Sequence, residues 1–376
     1  MKRITLILIF TLSIITCYSQ IKQKSNSEIA RIGNELVVEN NIPGFNLSII
    51  YKNGSQENYS FGFADVKNKV ELNSEDVMFS GSIGKTYAVA IVMQLVEAGE
   101  FQLDDKIQDY FPATEWLNKI PNINDITIKM LLQHTSGLPR YVFQDGIWDL
   151  VINYPDKVWT YKDRLSFVFN MEPIHEAGKG WGYSDTNYIL LGMLIEKITG
   201  SYYYDEVKNR ILIPYKLTTT YPADVRKIKN LTIGYSKPNE LFSMSEEVVV
   251  DGECIFNTQF EWTGGGIACT TSDLAKWSKV YYDRELFSKE SLNKIITTNE
   301  NGKLTKNLSY GMGSFIYKTK LGDMYGHSGT FPGYKSIFVY HPQLEFAIAL
   351  QVNCDYATEK MSLIEYLEEL LIDQLK

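Results

Sequence analysis

The sequence predicts an α+β protein, an α/β sandwich in which an antiparallel sheet drawn from the N- and C-terminal parts is flanked by helices, with an all-helical subdomain inserted. Three observations predict it. Alternating apolar residues on either side of Asn53-Gly54 mark a β-hairpin near the start. A series of short apolar runs separated by turn residues marks a meander near the end, and the stretch between them has the longer period of helices.

Ser27 to Asn40 carries helical periodicity. Gly44 to Tyr51 then places Phe45, Leu47, Ile49 and Tyr51 on one side, and Asn53-Gly54 leads into Gln56 to Phe63. Ser82 to Glu100 reads as one helix whose apolar residues, Ala88 to Val96, cover most of its circumference, which places it inside the protein. Residues from 101 to 260 read as helices and long loops rich in Trp and Tyr, with helices at Thr127 to Leu132 and at Thr186 to Thr199, the latter ended by Gly200. After Gly264-Gly265-Gly266 a helix is expected with Ser272 as its cap and Asp273 in its first turn. Strands follow at Gly311–Tyr317, Met324–Ser328, Tyr334–His341 and Glu345–Val352, with turns at Leu321-Gly322, Pro332-Gly333 and Pro342-Gln343. An amphipathic helix, Thr358 to Leu375, closes the chain. Strands at both ends around a helical middle imply a sheet subdomain of about 20–75 and 263–376, a helical subdomain of about 76–262, and a shared cleft between them.

Composition excludes several function classes. With 37 Lys+Arg against 45 Asp+Glu and a net charge of −8, the acidic balance lacks the basic stripe of a nucleic-acid binder. Its 25 Tyr, 18 Phe and 6 Trp are too many aromatics for a disordered chain. Met1-Lys2-Arg3, the apolar run Ile4 to Thr16 and the small residues Cys17 and Ser19 read as a secretory signal peptide cut before Gln20. Removing 19 residues from 376 leaves 357 residues, expected as one domain at −10 without Lys2 and Arg3, with a secreted or periplasmic location. A retained membrane helix fits less well, because the run falls short of the ~20 residues a bilayer needs. A lipid anchor on Cys17 also fits less well, because Thr16 is bulky for the position before a lipidated cysteine. Cys254, Cys269 and Cys354 can form at most one disulfide. No CxxC or HExxH occurs, so no metal or cofactor is expected. The expected partner is a small-molecule or peptide substrate, with no nucleic acid and no stable membrane span; the sequence does not address oligomeric state.

Three short segments carry the chemistry. Ser82-Ile83-Gly84-Lys85 puts a lysine one helical turn from a serine, where it can activate the hydroxyl as a nucleophile. The positive end of the helix and partial burial are expected to favour the neutral amine. The spacing alone selects nothing, since Ser19–Lys22 and Ser291–Lys294 share it, but only Ser82 sits at the mouth of an apolar helix between Gly81 and Gly84. Tyr183-Ser184-Asp185 precedes the helix at Thr186; its tyrosine can relay the serine proton to a leaving group. His327-Ser328-Gly329-Thr330 lies on a strand that can line a substrate, with the Thr330 N–H joining that of Ser82 in an oxyanion hole.

Taken together with Leu131-Leu132-Gln133-His134-Thr135-Ser136-Gly137-Leu138 and Gly264-Gly265-Gly266, these segments run from Phe79 to Gly329 in the order of the serine β-lactamase and penicillin-binding-protein family. The sequence resembles its class C β-lactamase, D-Ala-D-Ala carboxypeptidase and esterase branch over nearly all of the mature chain. The resemblance implies a β-lactamase/transpeptidase-like fold, Ser82 as acylated nucleophile, Lys85 as its base partner, Tyr183 as proton shuttle and the His327 strand as substrate-binding edge. His134 to Gly137 then reads as a structural turn behind the site. No GxSxG elbow supports a different serine hydrolase.

Two residues depart from the family pattern. His327 replaces the usual lysine and removes a permanent positive charge, and Asp185 replaces the usual asparagine, adding a negative charge that would favour protonated Lys85 or repel anionic substrates. Both point away from efficient β-lactam hydrolysis and leave acyl-serine chemistry in place. The expected function is an exported serine hydrolase acting on an ester or amide, including D-amino-acid peptides and β-lactams. The alternative is a penicillin-recognising or peptidoglycan-binding sensor that acylates without turnover.

Overall fold

The computed structural model describes residues 27–371 apart from 112–114, 238–241, 243, 284–285 and 357–361. The expected signal peptide, Cys17, and residues 358–361 and 372–375 of the expected C-terminal helix lie outside the described residues.

Helix α1 (27–39) leads into β1 (Gly44–Ile50), β2 (Gln56–Asp65) and the short β3 (Val70–Glu71). The hairpin turns at Gly54, whose φ of +80° is open to glycine without strain. β4 (Val77–Phe79) ends at a 3₁₀ turn, Gly81–Gly84, and α2 (Lys85–Glu97) follows. The helical middle holds α3 (Ile128–Gln133), α4 (Ile147–Asn153), α5 (Tyr161–Leu165), α6 (Thr186–Thr199) and α7 (Tyr203–Val207). Small strands β5 (Thr220–Pro222), β6 (Val249–Val250) and β7 (Glu253–Cys254) precede β8 (Ile267–Thr270), α8 (Thr271–Tyr282) and α9 (Lys289–Ile296). The meander is β9 (Leu308–Tyr310), β10 (Phe315–Thr319), β11 (Gly322–Phe331), β12 (Tyr334–His341) and β13 (Phe346–Val352), followed by α10 (Leu363–Leu371).

The main sheet has eight antiparallel strands in the order β3-β2-β1-β13-β12-β11-β10-β9. β1 pairs with β13 from Phe45↔Val352 to Ile50↔Ala347, so the two ends of the chain form the centre of the sheet, as the sequence predicts. Every residue of β1 is buried. Strand alternation sends Phe45, Leu47 and Ile49 into a core with α1 and α10 residues such as Leu36 and Leu367, while Ile50 joins the larger core around α2, α6 and α8. The sheet is therefore the middle layer of a sandwich.

Several boundaries differ from the sequence reading. The helix expected from Ser82 starts at Lys85, and Ser82 sits in the 3₁₀ turn before it, because Gly81 adopts a left-handed φ of +55° against the Thr330 backbone. α8 is capped by the Thr270 hydroxyl, which accepts from the Asp273 N–H, because β8 runs up to Thr270 and leaves Ser272 inside the helix. The expected strand Gly311–Tyr317 begins only at Phe315, as β10, and Gly311–Ser314 links it to the separate β9. The three remaining cysteines are buried and free.

β11 positions the cleft. β10 pairs with it only as far as Phe315↔Gly326, which leaves the edge of Ser328 to Phe331 open. A two-residue turn joins Phe331 to Tyr334, so ladder alternation points the Thr330 N–H and C=O away from β12 and toward Gly81. A Cβ on Gly329 would lie 1.9 Å from the Ser80 carbonyl and 2.8 Å from the Ser82 nitrogen. Gly329→Ala is expected to push β11 off this turn at a cost of about 1–3 kcal/mol in denaturant unfolding and to slow covalent labelling of Ser82. An unchanged midpoint and labelling rate would show that the close approach does not hold the site together.

Candidate active site

The Gly81–Gly84 turn delivers the Ser82 hydroxyl to the cleft and leaves Lys85 as the first residue of α2, fully buried. A lysine ammonium has three N–H donors, and each has an acceptor here. Lys85 Nζ donates to Asp185 Oδ1 at 2.6 Å, to the Gly264 carbonyl at 2.5 Å and to Ser82 Oγ at 3.1 Å. Burial pushes the amine's pKa down, but the charges of Asp185, Tyr183 and Glu261 and the Asp185 hydrogen bond outweigh it and hold Lys85 above its ordinary value. The expected neutral lysine is thus corrected. Burial acts as anticipated, and the buried Asp185 carboxylate 2.6 Å away overrides it, one of the two outcomes expected of its added charge.

Asp185 stands at the N-cap of α6 yet makes no capping hydrogen bond. Both of its oxygens serve cations instead: Oδ1 takes Lys85, and Oδ2 takes Arg140 Nε at 2.9 Å and Nη2 at 2.8 Å. Burial raises its pKa, and the two cations lower it by more, so it stays ionised well below the usual carboxylate range. Asp185 was expected among the substrate-binding groups; its side chain is 1% exposed and lies beneath the cleft. Of the two effects expected of its charge, the structure shows the first: Asp185 holds Lys85 protonated, and two cations compensate it. Arg140 was missed by sequence reasoning. It follows the His134-Thr135-Ser136-Gly137 turn closely, and the only hint was that an aspartate in place of asparagine calls for an extra cation.

Tyr183 lines the cleft beside Ser82, with Lys85 Nζ 5.0 Å from its ring centroid. Burial raises its phenol pKa and the Lys85 charge draws it back, with a contribution from Ser82; the net shift is upward, so the resting group is the phenol. Its buried hydroxyl makes no hydrogen bond of ordinary geometry among the described residues. His134 packs 4.2 Å from that ring and accepts at Nδ1 from the Ser184 N–H and the Asn187 amide, so the turn behind the site is structural, as expected.

His327 is fully buried on β11. Its Nδ1 lies 2.6 Å from the Ser328 carbonyl, which can only accept, so that nitrogen carries the proton and Nε2 faces the Tyr310 hydroxyl at 3.3 Å. Burial, then the Lys85 charge, push its pKa down to about 3. It brings no positive charge to the cleft.

The cleft itself has a volume of about 320 Å³ and is bordered by Ser82, Arg140, Tyr183, Glu261 and the His327 to Thr330 segment of β11. The Gly81 and Gly329 contacts bring the Ser82 and Thr330 backbone nitrogens close together, and two such N–H groups can take an oxyanion. Glu261 is the second group the sequence reading missed. It is 6% exposed with no sequence signal beyond proximity to the triple glycine, and its Oε2 is buried without a hydrogen-bond partner among the described residues. Burial and the Asp185 charge push its pKa up to about 7. Among the described residues no group of three His, Cys, Asp or Glu side chains is placed to hold a metal ion.

Comparison with known proteins agrees with this fold. The sequence pattern of the family described as Beta-lactamase matches residues 29–371. Penicillin-binding protein 4* of Bacillus subtilis is 25% identical over 345 residues, 88% of this chain and 73% of that protein. A D-stereospecific amidohydrolase from Streptomyces sp. is 25% identical and superposes with a TM-score of 0.79 over 91% of this chain and 97% of its own. D-amino acid amidase from Ochrobactrum anthropi SV3, at 23% identity and TM-score 0.78 over 93% of this chain and 98% of its own, shares the fold. With the family's pattern running from α1 to α10, the chain belongs to the beta-lactamase family of penicillin-binding-protein-like serine hydrolases.

Proposed function

We propose that this protein is an exported hydrolase that cleaves an ester or amide through an acyl-enzyme on Ser82, with D-amino-acid amides or peptides as its substrates. The observation that carries the reading is the contact of Ser82 Oγ with Lys85 Nζ at 3.1 Å on the floor of a cleft shared with Tyr183. Similarity to a protein described as a D-stereospecific amidohydrolase supports the substrate class. The basic and apolar leader supports export.

Both Lys85 and Tyr183 are protonated at rest, which favours a relay over a free base. Ser82 Oγ attacks the substrate carbonyl while its proton passes to the Tyr183 oxygen, and the Tyr183 proton passes to the leaving nitrogen or oxygen as the scissile bond breaks. Charged Lys85 stabilises the alkoxide character on Ser82 and Tyr183, and the Ser82 and Thr330 N–H groups take the carbonyl oxyanion. Water then attacks the acyl-enzyme by the reverse relay and releases the acid. Neutral His327 offers no permanent cation to a β-lactam carboxylate, and Arg140 is already committed to Asp185.

Ser82→Ala is expected to abolish labelling by a fluorophosphonate probe while leaving the circular dichroism spectrum intact; persistent labelling would move the nucleophile elsewhere. Tyr183→Phe is expected to slow turnover of p-nitrophenyl esters about 10²–10⁴-fold, and a parental rate would remove Tyr183 from the relay. Asp185→Asn removes the charge that holds Lys85 protonated, so burial dominates and the lysine pKa falls. The alkaline loss of kcat/KM should therefore move to lower pH by about one unit or more. A gain of activity at neutral pH would instead make neutral Lys85 the base.

A further inference from the structure

The cleft contains a carboxylate, Glu261, whose Oε2 has no hydrogen-bond donor among the described residues. Glu261 enters from the 3₁₀ turn Trp262–Gly264, where Trp262 has a left-handed φ of +43°. Gly265 makes the entry possible, since a Cβ there would lie 2.4 Å from Glu261 Oε2 and 2.9 Å from the Gly81 backbone. The carboxylate thus comes down beside the residue that precedes the nucleophile.

Three cations are near enough to influence it, and among the described residues each directs its hydrogen bonds to other acceptors and none to Glu261 Oε2. Lys85 uses its three donors on Asp185, Gly264 and Ser82. Arg140 holds Asp185. Arg164 of α5 donates to the carbonyls of Trp159, Gln259 and Phe260. A buried carboxylate oxygen with no donor is costly, and the cost is removed when a ligand supplies one. The site is roomy enough for a small organic group and adjoins Ser82.

We propose that Glu261 receives the free ammonium group of the acyl donor, so that the preferred substrates are amino-acid amides, esters or short peptides with an unblocked N-terminus. This rests on the acyl-enzyme reading of Ser82. Glu261 reaches the cleft from the Gly264–Gly265 wall, whereas the proposed proton shuttle Tyr183 stands against His327, 6.3 Å between ring centroids, on another wall. An ammonium at Glu261 therefore belongs to the acyl portion and not to the leaving group. Glu261 is a binding residue that sets specificity.

The test compares D-alanine p-nitroanilide with N-acetyl-D-alanine p-nitroanilide, and the L-pair likewise, in the parent and in Glu261→Gln. The parent should favour the free amine by about 10- to 100-fold in kcat/KM, the range of a hydrogen bond to a charged group, and Glu261→Gln should erase most of that ratio. A second measurement needs no variant: D-alanine amide should protect Ser82 from fluorophosphonate labelling at lower concentration than N-acetyl-D-alanine amide. In the parent, kcat/KM for the free amine should rise as Glu261 ionises near pH 7 and fall as the substrate ammonium deprotonates near about 8. The groups that set this rise are Lys85 on α2, Arg140 after α3, Asp185 before α6 and Arg164 on α5. No parental preference for the free amine, or an equal loss on both substrates in Glu261→Gln, would overturn the proposal, the latter by marking an acid–base or structural role. Ser82 that is not labelled at all would overturn the acyl-enzyme reading instead, so the two failures are distinguishable.

Discussion

The ammonium of Lys85 is the point on which the site depends. Its three acceptors come from the turn before α2, the segment before α6 and the turn before β8, so one side chain ties together parts of the chain up to 179 residues apart. A fully buried cation without partners would be expelled or neutralised, and one with three well-placed acceptors becomes a fixed positive charge beneath Ser82. Ser82 is held against that charge, the charge draws the Tyr183 phenol pKa back against the larger effect of burial, and it adds to burial in keeping His327 neutral.

Asp185 shows how a substituted residue changes a site without reaching the substrate. An asparagine there would share the lysine's hydrogen bond without fixing its charge. The aspartate fixes the charge and needs a second cation to offset its own burial, which Arg140 provides from the loop after α3. Arg140 in turn stacks on Phe143 at 4.1 Å and borders the cleft, so its compensating role also shapes the substrate wall. Two cations thus share one carboxylate, and Glu261 borders the same cleft with an Oε2 that has no hydrogen-bond donor among the described residues.

Much of the fold was legible because it follows from local rules. The hairpin of β1 and β2, the α6 helix with its Gly200 end, and β12 were readable from alternation, period and turn residues. The errors fell where a distant backbone decides the local conformation. Gly81 breaks the first helix because Thr330 lies against it, and the cap of α8 moves to Thr270 because β8 must pair with β4 and β5 before the helix begins. In both places propensity permitted the simpler structure, and a tertiary contact selected the other.

The sequence by itself determined the candidate residues: a serine and lysine one turn apart, a tyrosine ahead of a helix, and a glycine-flanked strand edge are local patterns whose spacing limits what they can do. Tertiary structure alone decided their ionisation and partners. Lys85 is charged because Asp185 lies 2.6 Å away, and Glu261 and Arg140 enter the site through turns with no motif of their own. Charge interactions act through space, so the groups that set them need not be neighbours in the chain.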